Sequence, residues 1–171
     1  GDARLHIPTI DPLVGFAGTV TAIEYQNGAE GFKFHFGTDG SGYDAIIVPD
    51  GGTRNQISPQ SFNLEEINGK KMCRLQSRMN GMDVFAFAIS TAPKSMKKLA
   101  EQYNLRYDEM DYYILHQANQ QIDEIICNKM KFPPEKVPMC LYDFGNTSSA
   151  SIPLTIVSQL KGKIERKITK F

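Results

Sequence analysis

The sequence carries no net charge, with 19 Lys and Arg balancing 19 Asp and Glu. A protein whose main partner is a nucleic acid normally shows a basic excess, because that partner is a polyanion. The balance therefore argues against nucleic acid. Long apolar runs are missing too. The longest, Val84 to Ile89, falls far short of the roughly 20 residues a membrane-spanning helix requires. The opening Gly1-Asp2-Ala3-Arg4 contains no apolar signal region. The three cysteines, Cys73, Cys127 and Cys140, are an odd number and form no CxxC pair. That usage fits a reducing compartment, and the expectation is a cytoplasmic protein. Tryptophan is absent altogether. What the chain does have is 41% hydrophobic residues, enough for a real core.

Patterning predicts an α/β chain. Thr19 to Tyr25 is rich in β-branched residues and runs into Asn27-Gly28, a hairpin signal. Phe32 to Phe36 alternates aromatic and polar side chains and reads as the returning strand. Ala45 to Val48 reads as a short buried strand. Residues Thr53 to Asn80 are polar and weakly patterned, and little regular structure is expected there. Phe85, Ile89, Ala92, Met96, Leu99 and Tyr103 then recur every three or four residues and mark one face of a long helix. Pro93 falls inside it and predicts a kink or a break. In the second half, Tyr112 to Leu115 and Val137 to Leu141 read as strands. Asn119 to Met130, and the stretch around Pro153, Leu154, Val157 and Leu160, read as helices. Strand, helix, strand, helix implies parallel strands joined by right-handed crossovers.

Ligands bind such sheets at the carboxyl ends of the strands. His116 follows the first of these two strands, and Asn146 lies in the loop after the second, so both reach one crevice. Taken alone, His116 reads equally well as a satisfied, partly buried histidine and Asn146 as a turn residue. The words around them are more specific. His116-Gln117-Ala118-Asn119 and Gly145-Asn146-Thr147-Ser148-Ser149-Ala150-Ser151-Ile152-Pro153 resemble the two C-terminal signatures of the ketoacyl-acyl carrier protein synthase III family, condensing enzymes of the thiolase superfamily. Gly15 to Thr19, Thr38 to Gly42, Pro49 to Arg54, Asp83-Val84-Phe85 and Pro134 to Pro138 match in the same order, so the resemblance covers roughly Gly15 to Gln159.

The resemblance implies a thiolase-like half domain, a mixed and mostly parallel sheet with helices packed on it, truncated at both ends. Residues 1–26 would be the last strand of the N-terminal half, and 27–171 the C-terminal condensing-enzyme domain without its final strands. It also implies a reaction, the 3-oxoacyl-[acyl-carrier-protein] synthase III condensation of fatty acid biosynthesis. A cysteine thiolate takes an acyl group from acyl-coenzyme A, malonyl-acyl carrier protein loses carbon dioxide, and the enolate attacks the acyl-enzyme. His116 and Asn146 would stabilise charge on the thioester oxygen. Asn119, Ala118 and Gly81 would contact the pantetheine arm. Coenzyme A and phosphopantetheine thioesters enter as substrates, no cofactor or metal is required, and a homodimer is implied.

Departures from the family pattern are specific. No cysteine here stands in the family's Ala-Cys-small setting at a helix start, which favours a thiolate. Cys73 lies in a polar stretch, Cys127 in a helix pattern and Cys140 in a strand pattern, so the chain alone is expected to be inactive. Gln121, Ala86 and Met82 replace an arginine, a lysine and an asparagine common in the family. Lys94, Lys97, Lys98, Lys129 and Lys131 offer a basic surface for an acidic carrier protein, or are ordinary solvated helix faces. Two other readings remain at this level. One is a Cys-His-Asn hydrolase, against which the missing tryptophan speaks. The other is a non-catalytic interaction module that keeps the fold without the chemistry.

Overall fold

The computed structural model of the chain describes residues 14–164 and 171. Residues 1–13, half of the segment expected to be the last strand of the N-terminal half, lie outside them. The described residues fall into two compact units, one of residues 38–87 and one of residues 14–37 with 88–164.

In the first unit, β1 (Ile46–Ile47) pairs antiparallel with β4 (Arg78–Met79), and β2 (Glu65–Ile67) with β3 (Lys70–Met72). The β2–β3 hairpin corrects the expectation of little structure across Thr53 to Asn80. Its turn is Asn68-Gly69, with φ of 52° and 76°, the left-handed pair a two-residue hairpin turn demands. Around it the backbone is clamped electrostatically. The Arg74 guanidinium donates from Nε and Nη2 to the two Asp50 carboxylate oxygens at 2.9 and 3.0 Å, and Ser61 Oγ donates to the same carboxylate at 2.8 Å. Arg74 holds the Asp50 carboxyl below its ordinary range. Arg78 in β4 ties itself to Glu65 in β2 at 2.8 Å. Ala45 to Val48, expected to be buried, is largely open: Ile46 is 55% and Val48 44% exposed. A two-residue strand paired on one edge buries little of either face.

Helix α1 (Gly81–Tyr103) starts in this unit and continues into the other. Asn80 caps it, accepting from Asp83 N while its side-chain amide donates to the Asp83 carboxylate at 2.6 Å. The helix runs 23 residues through Pro93 without a break. An interior proline costs about 3 kcal/mol. Here Pro93 is buried, and packing along a long apolar face offsets that cost. At the far end Asn104 turns left-handed at φ 50°, and Leu105 N returns to Ala100 O at 2.8 Å.

In the second unit, α2 (Gln120–Met130) is followed by a one-turn α3 (Leu141–Phe144) and by α4 (Ser151–Gln159). Pro153 sits in the first turn of α4, where its missing N–H leaves no helical bond unmade. Helix α2 ends at Lys131, left-handed at φ 56°, and the chain then buries Phe132. The Phe132 ring stacks on Tyr113 with centroids 3.7 Å apart and 7° between planes. That aromatic pair joins the segment before His116 to the segment after α2.

The mostly parallel sheet is not formed by the described residues. Tyr112 to Leu115 and Val137 to Leu141 carry no regular strand; Leu141 instead opens α3. One direct backbone bond, Tyr113 N to Lys136 O at 2.8 Å, runs between the stretches around them. Parallel strands persist when neighbours pair with them on both sides and helices cover both faces. Here the stretches lie together through side chains. Thr19 to Tyr25 and Phe32 to Phe36 are not strands either. The Asn27-Gly28 turn does form, with Gly28 at φ 79° and Ala29 N bonded to Gln26 O at 3.1 Å, but its arms make no ladder. Val20 is 99% exposed and Phe36 84%, so nothing buried rewards a particular register.

Candidate active site

His116 emerges from the extended stretch Tyr112 to Leu115, where the Tyr113–Phe132 stack anchors the backbone. Its Nδ1 lies 2.6 Å from Ser151 Oγ, at the first residue of α4, 35 positions later in the chain. The residue is exposed, yet desolvation where it meets its neighbours pushes it below the ordinary histidine value, so the neutral imidazole is favoured.

A closed circuit of hydrogen bonds holds this pair. Gln117, 1% exposed, accepts from Cys140 N through Oε1 at 3.0 Å and donates through Nε2 to Leu115 O at 3.0 Å. Cys140 Sγ lies 3.1 Å from Thr155 Oγ1, and Thr155 Oγ1 donates to Ser151 O at 2.8 Å. Ser151 closes the circuit on His116, the neighbour of Gln117. Cys140, Ser151 and Thr155 are as buried as Gln117, so the bonds among these residues exist in a low-dielectric interior and fix their neighbours, while the bond to His116 is part-buried. Cys140 is thus a core residue, although it lies outside any strand. Gln117, Ser151 and Thr155 were not singled out from sequence. The only signal for Gln117 and Ser151 was their place within the two signature segments, and Thr155 lies two residues beyond the second.

Asn146 enters the site from the loop before α4. Gly145, at φ 67°, makes the turn that precedes it. Asn146 O accepts from Gly15 N at 2.9 Å, and Val14 pairs with Asn146 as an isolated parallel bridge. Gly15 approaches so closely that a Cβ there would fall 1.7 Å from Phe144 O, and no other residue fits without moving backbone. The Asn146 side chain accepts from Ser148 N through Oδ1 at 2.9 Å. Its amide NH2 has no partner among the described residues and is left to donate.

Asn119 caps α2, its Oδ1 accepting from Gln121 N and Ile122 N at 2.8 and 3.4 Å. Ala118, half-buried, precedes it; Ala118 N returns to His116 O at 2.8 Å, which curls the chain from the histidine toward the cap. Gly81 lies in the other compact unit, where it helps line a cleft of about 590 Å³ with Asp44, Ile67, Lys70, Arg78 and Asn80. Gln121 and Ala86 are exposed, and Met82 is 75% exposed. Among the other cysteines, Cys73 is half-buried, while burial and the neighbouring Asp123 push the Cys127 thiol up, away from thiolate chemistry.

The fold itself is matched among solved structures, those of condensing enzymes. A crystal structure of 3-oxoacyl-(acyl-carrier-protein) synthase III superposes with a TM-score of 0.69 at 30% identity, covering 78% of this chain and 42% of that one. The profile of the family described as 3-oxoacyl-[acyl-carrier-protein (ACP)] synthase III C terminal matches residues 100–169. The beta-ketoacyl-[acyl-carrier-protein] synthase III of Microcystis aeruginosa is 36% identical over 122 residues, 67% of this chain and 37% of the relative. The chloroplastic enzyme of that name from Arabidopsis thaliana is 31% identical, covering 82% of this chain and 35% of its own length. The chain belongs to the C-terminal domain family of the 3-oxoacyl-[acyl-carrier-protein] synthases III, and it spans well under half the length of these relatives. No helix among the described residues is long and apolar enough to cross a membrane.

Proposed function

We propose that this chain is the decarboxylating half of a cytoplasmic 3-oxoacyl-[acyl-carrier-protein] synthase III-like acyltransferase, residues 27–171 forming its C-terminal domain. The observation that carries the reading is the pairing of His116 with the first residue of α4 while Asn146 sits in the loop entering that helix. Asn146 has its acceptor oxygen turned onto backbone and its NH2 unpartnered, and His116 is favoured as a neutral imidazole. Loss of carbon dioxide from malonyl-acyl carrier protein puts negative charge on the thioester oxygen. Donors already oriented toward that oxygen lower the barrier because they do not reorganise as charge appears. Asn119, with Oδ1 committed to its helix cap, offers its remaining amide hydrogens to the pantetheine arm, and Ala118 leaves space along it.

The acyl group comes from acyl-coenzyme A by way of a cysteine thiolate that Cys73, Cys127 and Cys140 do not supply. Incubated with acyl-coenzyme A and malonyl-acyl carrier protein, the complete protein should yield the ketoacyl product, and this chain alone should yield none. Product formation by the chain alone that disappears on replacing any one of its three cysteines would overturn the division of labour. A complete protein without the thiolate and without turnover would make this a non-catalytic member of the family.

The chain is also expected to self-associate. Met82 is 75% exposed, Phe87 50% and Ile46 55%, apolar side chains of α1 and β1 left in water. Monomeric proteins rarely leave apolar patches of more than a few hundred Å² in water. Light scattering at micromolar concentration should report dimers or larger species; a monodisperse monomer with little binding of an apolar dye would contradict this.

A further inference from the structure

Ser151 is a buried hydroxyl whose proton has one destination. Its side chain is 1% exposed, and among the described residues its Oγ has a single hydrogen-bond partner, His116 Nδ1 at 2.6 Å. A serine early in a helix often donates back to a carbonyl one turn earlier, but Thr147 O here takes Ala150 N instead. Suppose the histidine donated from Nδ1 to Ser151 Oγ. The hydroxyl proton would then be stranded in the interior, at a cost comparable to a lost buried hydrogen bond. If Ser151 O–H donates to Nδ1, the buried hydroxyl and Nδ1 are both satisfied.

We propose that Ser151 is the positioning residue that selects the tautomer of His116, holding Nδ1 as acceptor and the ring proton on Nε2. The inference deepens the proposed function, on which its catalytic meaning rests, since only the Nε2–H tautomer offers a donor at the outer edge of the ring. A neutral imidazole carries one N–H, so occupying Nδ1 as an acceptor determines where the proton sits. The same logic governs Asn146, whose Oδ1 is taken by Ser148 N so that its NH2 is left to donate. Each donor would thus be set by a hydrogen bond on its far side. The hydroxyl itself is held in place from behind, because Thr155 Oγ1 bonds Ser151 O and Cys140 packs against Thr155.

The test needs no substrate, so it can fail while the proposed function stands. Nitrogen-15 ring correlations of this chain at pH 7.5, with the His116 signals assigned by their loss in His116→Gln, report the tautomer directly. The wild-type chain should show His116 as Nε2–H with Nδ1 unprotonated. Ser151→Ala should move the ratio toward Nδ1–H by roughly tenfold, the worth of a buried neutral hydrogen bond. Ser151→Thr, which keeps the hydroxyl, should retain the wild-type ratio. A wild-type ring protonated on Nδ1 overturns the proposal by itself, whatever the variants do. So does a folded Ser151→Ala whose ratio is unchanged.

Discussion

In a complete enzyme carrying this sequence, His116→Ala and Asn146→Ala should each lower malonyl decarboxylation and condensation by about a hundredfold or more. Acylation by acyl-coenzyme A should partly survive, because it develops its charge on a different thioester. The physical basis is preorganisation. His116 is tied to Ser151 within a buried circuit, and Asn146 is held by Gly15 through its backbone and by Ser148 through its side chain. Removing either donor leaves the other in place, so each loss should appear in the decarboxylation rate rather than as failure to fold. The two steps are read separately by radiolabel transfer to the enzyme and by carbon dioxide release. Unchanged condensation in either variant would remove that residue from the mechanism.

At pH 8, Asp123→Asn should stabilise this chain by up to about 4 kcal/mol against chemical unfolding. Asp123 lies in the first turn of α2, is 2% exposed, and leaves its buried Oδ2 without a hydrogen-bond partner. Burial pushes its carboxyl from 3.8 to about 7. A carboxylate near a helix N-terminus gains up to about 1 kcal/mol from the helix dipole, which desolvation here outweighs. The sign follows from proton binding. Between about pH 4 and 7 the folded state keeps a proton that the unfolded chain releases. Stability should therefore fall as pH rises through that window, and the full penalty is present above it. Asparagine cannot ionise, so the variant should lose that slope. A wild-type stability that is flat from pH 5 to 8, or an Asp123→Asn chain less stable at pH 8, would show that Asp123 finds a partner when ionised.

Two Asn-Gly pairs show how far local signals reach. Asn27-Gly28 carried the stronger hairpin expectation, with β-branched and aromatic runs on either side, and it makes only a turn. Asn68-Gly69, inside a stretch that looked featureless, makes a hairpin. The turn chemistry is the same, and the difference is what the arms have to hold. Met72 is buried, and Arg78 and Arg74 reach Glu65 across the clamp. The arms of the first turn leave Val20, Tyr25 and Phe36 in solvent. Strand formation depends on non-local partners, so alternation alone overstates it. Pro93 shows the converse, a local breaker overridden by packing.

What the sequence determined by itself is what short range controls. The periods of α1, α2 and α4 follow from side chains three and four positions apart, and their starts from Asn80, Asn119 and Pro153. The two signature segments likewise carry His116 and Asn146. Tertiary structure decided the rest, because it depends on groups far apart in the chain. Parallel pairing was not made where neighbours on both sides were lacking. Asp123 became a buried, unpartnered carboxylate on a helix whose pattern gave no hint of it. The hydroxyl on which the His116 tautomer turns lies 35 residues away, and only folding brings it within 2.6 Å.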